Sequence, residues 1–589
     1  MDFYEFYMGN EFEAYRYLGA HFAGGTTTFR TFAPKASKIS VIGEFNGWVE
    51  TPMNKVYDGN FWECVIPHTQ EGQMYKYRIY KADGTYIDHC DPYAFYSELR
   101  PGNASRIARL DISVFHDKRW LNGRGGHCDK PVNIYEIHFG SWKRKDNDEP
   151  YSYAELAEVL IPYLKENGYN YVELMPLNEY PADASWGYQA TGFFSPTSRY
   201  GTPDELRAFV NECHKSKIGV IMDFVPVHFA VDDYALWNYD GTALYEYPHV
   251  DVGYSEWGSC NFMHSRGEVR SFLQSAAYYW LREFHIDGLR FDAVSNMLYW
   301  QGNKERGENK SAIEFIKSLN SGLKERFPDV MLIAEDSSAF PNVTKAVSEG
   351  GLGFDYKWDM GWMNDTLDYF RLAPQDRTAQ YHKLTFSMMY FHSERFILPF
   401  SHDENVHGKA TIIQKMNGDY EQKFPQARAL YLYMYAHPGK KLNFMGGEFA
   451  QFREWDETRE QDFDILRYPI HDAFYHYMQE LNHIYLNNSA LWNDYSNDGF
   501  EWIDCHLERK CVYSFLRRSK GQSMIAVFNF SDSYTDYALK LDDTKMLTLL
   551  IDTDEQRFGG NTIPDKTITV KNESAILSLP PFSGRLYKA

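Results

Sequence analysis

Eight short apolar runs recur through the middle of this 589-residue chain. They are VNIYEIHF, NYVELMPL, IGVIMDFV, IDGLRFDAV, VMLIAEDS, FDYKWDM, RFILPFSHDE and KLNFMGGEF. Amphipathic stretches such as YSYAELAEVLIPYLKENG and TPDELRAFVNECHKSK lie between them. The second opens with Thr202, Pro203 and Glu205, a capping box with proline at the first helical position. The runs are apolar rather than alternating, as parallel strands buried on both faces require. Eight such strands alternating with helices predict a (β/α)8 TIM barrel over residues 121–488.

The chain is too long for one core. Its first hundred residues hold short runs rich in β-branched and aromatic residues, TTTFRTFAP, KISVIGEFNGW, FWECVIP and MYKYRIY, separated by turn residues. That spacing predicts an N-terminal β-sandwich, which with a linker from Arg109 to Lys130 occupies about the first 120 residues. After Asn488 the helical pattern stops, and runs such as SMIAVFNFS and MLTLLIDT predict a C-terminal all-β sandwich over 489–589. The stretch from His228 to Arg266 is long for one connection and reads as an excursion over the barrel mouth.

The net charge of −21 argues against nucleic acid and against an anionic membrane surface. A neutral ligand is indifferent to it, and the 17% aromatic content suits one with flat faces. Seven scattered cysteines without a CxxC pair predict neither a disulfide framework nor a zinc site. The start MDFYEFYMGNEF lacks a signal-peptide pattern, and no run of apolar residues is long enough to span a bilayer. A cytoplasmic monomer is the expectation.

Barrel enzymes place their chemistry at the C-terminal ends of strands. Strand three ends in DFVPVH with Asp223 and His228, and strand four in LRFDAV with Arg290 and Asp292. Strand five ends in AEDS with Glu335 and Asp336, and strand seven in SHDE with His402, Asp403 and Glu404. One carboxylate at a strand tip is readily a helix cap. Four tips aimed into one mouth repel each other, and a function has to justify them. Cleaving a glycosidic bond needs two carboxyl groups with separate roles. Arg290, two residues before Asp292, lies on the same side of the strand and favours an ionised Asp292. Glu335 follows an apolar run, where desolvation and negative neighbours raise its pKa.

The ordered set DFVPVH, GLRFDAV, AEDS and SHDE resembles the four sequence regions of the α-amylase superfamily, glycoside hydrolase family 13. VNIYEIHFGSWKR, SWGYQATGFFSPTSRYGTPDELRAFV, SHDENVHGKATI and LNFMGGEFAQFREW resemble its glucan-branching subgroup. FRTFAPKASKISVIGEFNGW is similar to a family 48 carbohydrate-binding module. The resemblance implies Asp292 as nucleophile, Glu335 as general acid and base, and Asp403 as the group that holds the distorted sugar. It further implies that Arg290 orients Asp292, that His228 and His402 bind hydroxyls, that Asp223 supports the site and that Tyr188 stacks on the sugar ring. On the module, Trp48, Trp62 and Lys76 form either a glucan-binding face or, for the tryptophans, part of the sandwich core. Val227 stands where many α-amylases carry a calcium-binding Asn, so neither a metal nor another cofactor is expected.

These residues take the chemistry as far as a retaining α-glucan-active enzyme. Transfer to a 6-OH, as opposed to hydrolysis by a debranching or trehalose-releasing relative, is implied by the resemblance alone. A non-catalytic glucan-binding scaffold is the alternative from another class.

Overall fold

A computed structural model describes residues 1–110, 114–505, 507–542 and 544–589. Residues 111–113 of the expected linker lie outside the described part. Eight parallel strands close into a barrel: β1 Asn133–Ile137, β2 Tyr171–Leu174, β3 Gly219–Phe224, β4 Gly288–Phe291, β5 Met331–Ala334, β6 Tyr356–Trp358, β7 Phe396–Phe400 and β8 Lys440–Phe444. Seven fall inside one of the eight apolar runs, and β8 begins one residue before its run. The predicted capping box forms, with the Thr202 hydroxyl accepting from the Glu205 N–H and the Glu205 carboxylate accepting from the Thr202 N–H.

Six of the seven connections between successive barrel strands carry a substantial helix, and a seventh, Pro469–Asn487, follows β8. The exception joins β5 to β6, where a single 3₁₀ turn at Val347–Glu349 replaces one. Its sequence, SSAFPNVTKAVSEGGLGF, has an early proline, a Gly-Gly pair and no apolar periodicity to bury a helix face.

The N-terminal sandwich has two antiparallel sheets. Gly19–Ala23, Thr26–Phe32, Phe61–Pro67 and Asn54–Val56 make one, and the other is built around Lys38–Gly43, Met74–Tyr80 and Tyr86–His89. Before them the chain forms a helix, Phe3–Met8, that the β-rich reading of this region did not anticipate. Asp2 caps it through the N–H groups of Tyr4 and Glu5, and Gly9 ends it in the left-handed conformation. This helix packs on the barrel helix Gly267–Glu283 so closely that a Cβ at Gly267 would lie 1.8 Å from the Tyr7 carbonyl oxygen.

The excursion from His228 to Arg266 exists and is fastened at its base by pairing of His228–Phe229 with Cys260–Asn261. Its middle is bolted to the N-terminal module. The Tyr239 and Thr31 hydroxyls lie 2.7 Å apart, Asp240 accepts from the Lys35 N–H at 2.9 Å, and the Tyr234 carbonyl accepts from the Cys90 N–H. The module therefore braces a loop of the barrel mouth. At the opposite end of the barrel, His214 sits between Asp117 of the linker, at 2.7 Å, and Asp287, at 2.9 Å.

The C-terminal domain stacks a six-stranded sheet on the pair Thr535–Lys540 and Ser574–Leu579. It packs against the barrel helix Tyr420–Ala436, where Tyr433 meets Phe528 and Phe530. Among the described residues no helix is long and apolar enough to cross a membrane.

Candidate active site

Barrel closure carries the four charged strand tips to one cleft of about 330 Å³. Asp292, Glu335, His402 and Asp403 line it, together with Tyr188, His228, Trp186, Trp257 and His407. Asp223 and Arg290 lie beneath, opposite each other on β3 and β4. The tips are held by the barrel's own hydrogen-bond ladder. The Asp292 N–H reaches the Phe224 carbonyl at 3.0 Å, and the Glu335 N–H reaches the Phe291 carbonyl at 3.0 Å.

Arg290 is the hub. One of its nitrogens donates to Asp223 at 2.9 Å and to Asp292 at 2.8 Å, and another lies 3.2 Å from Glu335. Its guanidinium also stacks over Trp358, 4.3 Å from the ring centre. The expected Arg290–Asp292 pair is thus present but shared three ways. Burial raises the Asp292 carboxyl above its ordinary value, and Arg290 pulls it back. Burial pushes Glu335 up to about 8 against the opposing pull of Arg290. For Asp403 burial is outweighed by the cations His402 and Arg290, which hold it below the usual range. Ala293 follows Asp292 with φ 46° and ψ 45°, a left-handed conformation that is costly for a residue with a Cβ. In that conformation its N–H donates to Glu335 Oε2 at 2.7 Å.

The two histidines differ. His402 Nδ1 lies 2.6 Å from Glu136, and its Nε2 lies 3.5 Å from Asp403. Burial lowers its pKa, but Asp403 and Glu136 more than compensate and carry it to about 9. His228 has no such partners among the described residues, and burial takes it to about 4. Tyr188 donates from its hydroxyl to Asp223 at 2.6 Å and stacks on the His402 ring.

Two groups escaped the sequence reading. Glu136 on β1 and Glu173 on β2 are wholly buried carboxyls inside apolar runs. A charge within such a run was their visible signal. Burial, with Asp223 and Glu136 nearby, raises Glu173 well above the usual range. The second group is aromatic. Trp186, two residues before Tyr188, packs on His407 and Trp455. Trp257 lies on the excursion, 47% exposed, with its ring over His228 and its carbonyl accepting from Gln189 at 2.9 Å.

Other charged residues in the motifs serve the scaffold. Asp336 pairs with Lys357 at 2.8 Å, and Glu404 with Lys409 and Lys415. Glu448 accepts from the Tyr135 and Tyr163 hydroxyls.

On the module, Trp48, Trp62 and Lys76 do not share an exposed face. Trp48 is 41% exposed, beside the sheet that contains Lys38–Gly43. Trp62 is 4% exposed, and its indole N–H donates to the Ala33 carbonyl at 3.0 Å. It points the same way as its neighbours Cys64 and Ile66, toward the second sheet, where Phe29 meets Tyr75. Lys76 is tied to the Asn103 side chain.

Comparison with known proteins agrees with this architecture. Residues 17–94 match carbohydrate-binding module 48 (isoamylase N-terminal domain), 155–251 the α-amylase catalytic domain, and 502–589 the α-amylase C-terminal all-β domain. The fold is shared with the pullulanase from Bacillus acidopullulyticus, at a TM-score of 0.74 and 17% identity over 97% of this chain and 75% of that one. A pullulanase from Anoxybacillus sp. gives 0.72 at 16% identity, covering 97% and 87%. At that distance only the fold is shared. Much nearer are the 1,4-α-glucan branching enzymes GlgB of Fusobacterium nucleatum, 49% identical over 95% of this chain and 93% of that protein, and of Bacillus caldolyticus, 44% identical over 95% and 86%. With that identity running through all three domains, the chain belongs to the 1,4-α-glucan branching enzyme family of the α-amylase superfamily.

Proposed function

We propose that this protein cuts an α-1,4 glucan chain and transfers it to the 6-OH of another chain, with Asp292, Glu335 and Asp403 as its catalytic residues. One observation carries the assignment of roles. Arg290 touches both Asp292 and Glu335, yet the environment separates them, leaving Glu335 with its proton near neutral pH. The cleft and its floor hold six carboxyl groups, Glu136, Glu173, Asp223, Asp292, Glu335 and Asp403, against two cations, Arg290 and His402. Some carboxyls must be neutral, and burial raises Glu173 well above the usual range, Glu335 to about 8 and Asp223, against the pull of Arg290, to about 7.

In the first step an Asp292 oxygen attacks the anomeric carbon. The bond to the 4-oxygen breaks, and that oxygen takes the Glu335 proton. In the second step an acceptor 6-OH attacks the same carbon, gives its proton to the Glu335 carboxylate and displaces Asp292. Two inversions retain the α configuration. Asp403 holds hydroxyls of the reacting sugar. His228 offers a neutral ring to them and His402 a charged one, while Tyr188 and Trp257 supply apolar surface to the sugar's C–H faces. Trp48 is the part of the module's expected surface still able to meet glucan. A monomer in the cytoplasm fits the scattered cysteines and the charge.

Proton NMR on amylose with the purified protein and a chelator tests this reading. Growth of the α-1,6 anomeric signal with little gain in reducing ends is expected. A matching rise in reducing ends without that signal would make the protein a hydrolase. A chelator-dependent loss would bring back the metal that Val227 argues against.

A further inference from the structure

Both side-chain oxygens of Glu136 bond to one residue, His402. The His402 backbone N–H donates to Oε2 at 2.9 Å, and the ring Nδ1 lies 2.6 Å from Oε1. The two contacts fix the carboxylate and the imidazole as a unit across the β1–β7 side of the barrel. A carboxylate facing Nδ1 makes that nitrogen a donor.

The surroundings of Nε2 favour a proton there as well. Tyr188 Oη lies 3.4 Å away, and its own proton is committed to Asp223 at 2.6 Å, so it can only accept. The other near group is Asp403 Oδ1, at 3.5 Å, also an acceptor. Acceptors around both nitrogens favour the imidazolium, and Asp403 and Glu136 raise the ring's pKa to about 9 against burial. Arg290 is the cation that opposes this charge, and Asp223 and Asp292 favour it. His138, just past the end of β1, is buried, and burial takes it down to about 3.

We propose that Glu136 is a positioning residue for the transfer reaction, holding His402 as an oriented, doubly protonated donor to the sugar in the cleft. The proposal rests on the reading of His402 as a hydroxyl ligand. A charged donor binds a hydroxyl about twice as strongly as a neutral one. It also offsets the excess of carboxylates without touching the proton of Glu335. The design explains why a carboxylate is kept inside an apolar strand, where burial is costly unless it is paired.

The test is the pH profile of branching by wild type and by Glu136→Gln. In the wild type burial raises Glu335 to about 8 and the carboxylates Asp403 and Glu136 raise His402 to about 9, so both bear on the alkaline limb of kcat. Removing the carboxylate lowers the His402 pKa by about one to two units. The variant's profile then narrows from the alkaline side, with kcat at pH 8 about tenfold below its value at pH 6. Glu136→Asp, which keeps the charge, restores part of that limb. A Glu136→Gln enzyme that branches with the wild-type profile overturns the proposal. A wild type that does not branch sinks the reading beneath it instead.

If Glu136→Gln does not fold, NMR of wild-type enzyme labelled at histidine Cε1 decides, with His402→Gln identifying the signal. A His402 resonance in the imidazolium position at pH 7.5 supports the proposal. A neutral ring at that pH overturns it.

Discussion

The two walls of the cleft are built on different principles. The His402 wall is made of strand tips and locked by charge, with Glu136 behind, Asp403 beside and Tyr188 stacked in front. The His228 wall is made of a long excursion. Among the described residues its histidine has no charged partner, its tryptophan is half exposed, and its support comes from the N-terminal module. Strand ends are rigid because each is bonded into the barrel, so they suit groups whose protonation must be controlled. Loops are free to carry a broad apolar platform. In the proposed mechanism, the chemistry falls mainly on the first kind of wall and the grip on glucan mainly on the second.

Substitutions on each side test that division. The largest effect is expected from Asp292→Ala, a kcat loss on the order of 10⁴-fold or more with the far-UV circular dichroism unchanged. Retained activity would remove Asp292 as nucleophile and the rigid wall as the seat of chemistry. Glu335→Gln comes next, with a loss on the order of 10³-fold on natural glucan and binding by calorimetry preserved.

The same variant has a second signature. The Glu335 carboxyl is raised from an ordinary value near 4.5 to about 8, so the folded chain holds an extra proton between those values. Stability from this group is therefore full at the acid end and falls as pH rises through that window. Glu335→Gln escapes that loss, and its Tm advantage over wild type should grow from pH 5 to pH 8. A gap that stays flat would mean the group is ionised in the folded protein.

On the other wall, Trp257→Ala is expected to raise KM about fivefold, from about 1 kcal/mol of lost stacking, with a smaller change in kcat. A large kcat loss at unchanged KM would place Trp257 in the chemistry and erase the distinction. The module supplies the smallest effect. Trp48→Ala should leave stability within about 0.5 kcal/mol, whereas Trp62→Ala costs about 3–5 kcal/mol in urea unfolding. Equal costs would contradict the burial of one and the exposure of the other.

Much of the site was legible before folding was considered. Asp292, Glu335 and Asp403 stand where apolar runs meet polar sequence, and that boundary is where a barrel strand opens to solvent. Glu136 and Glu173 stand inside such runs, where a charge is easily taken for an outlier; the partner of Glu136, His402, lies 266 residues away, and the carboxyl that presses on Glu173, Asp223, comes from a different strand. Trp257 sits in a segment without periodicity, so nothing local points it at the cleft. Trp62 was open between surface and core because alternation tells which residues share a face and not what covers it. The helix Phe3–Met8 covers the other face of that same strand, where Phe3 and Phe6 meet Phe61.

By itself the sequence determined the barrel, its two β flanks and the carboxylates at its mouth. Periodicity and position within a run are local properties that each segment carries. Protonation was decided only by the tertiary structure. A guanidinium shared among three carboxyls, a histidine charged by a glutamate on another strand and an acid kept neutral by burial all require the closed barrel. Electrostatic energy depends on distance and on exclusion of water, and the chain acquires both only when its strands meet.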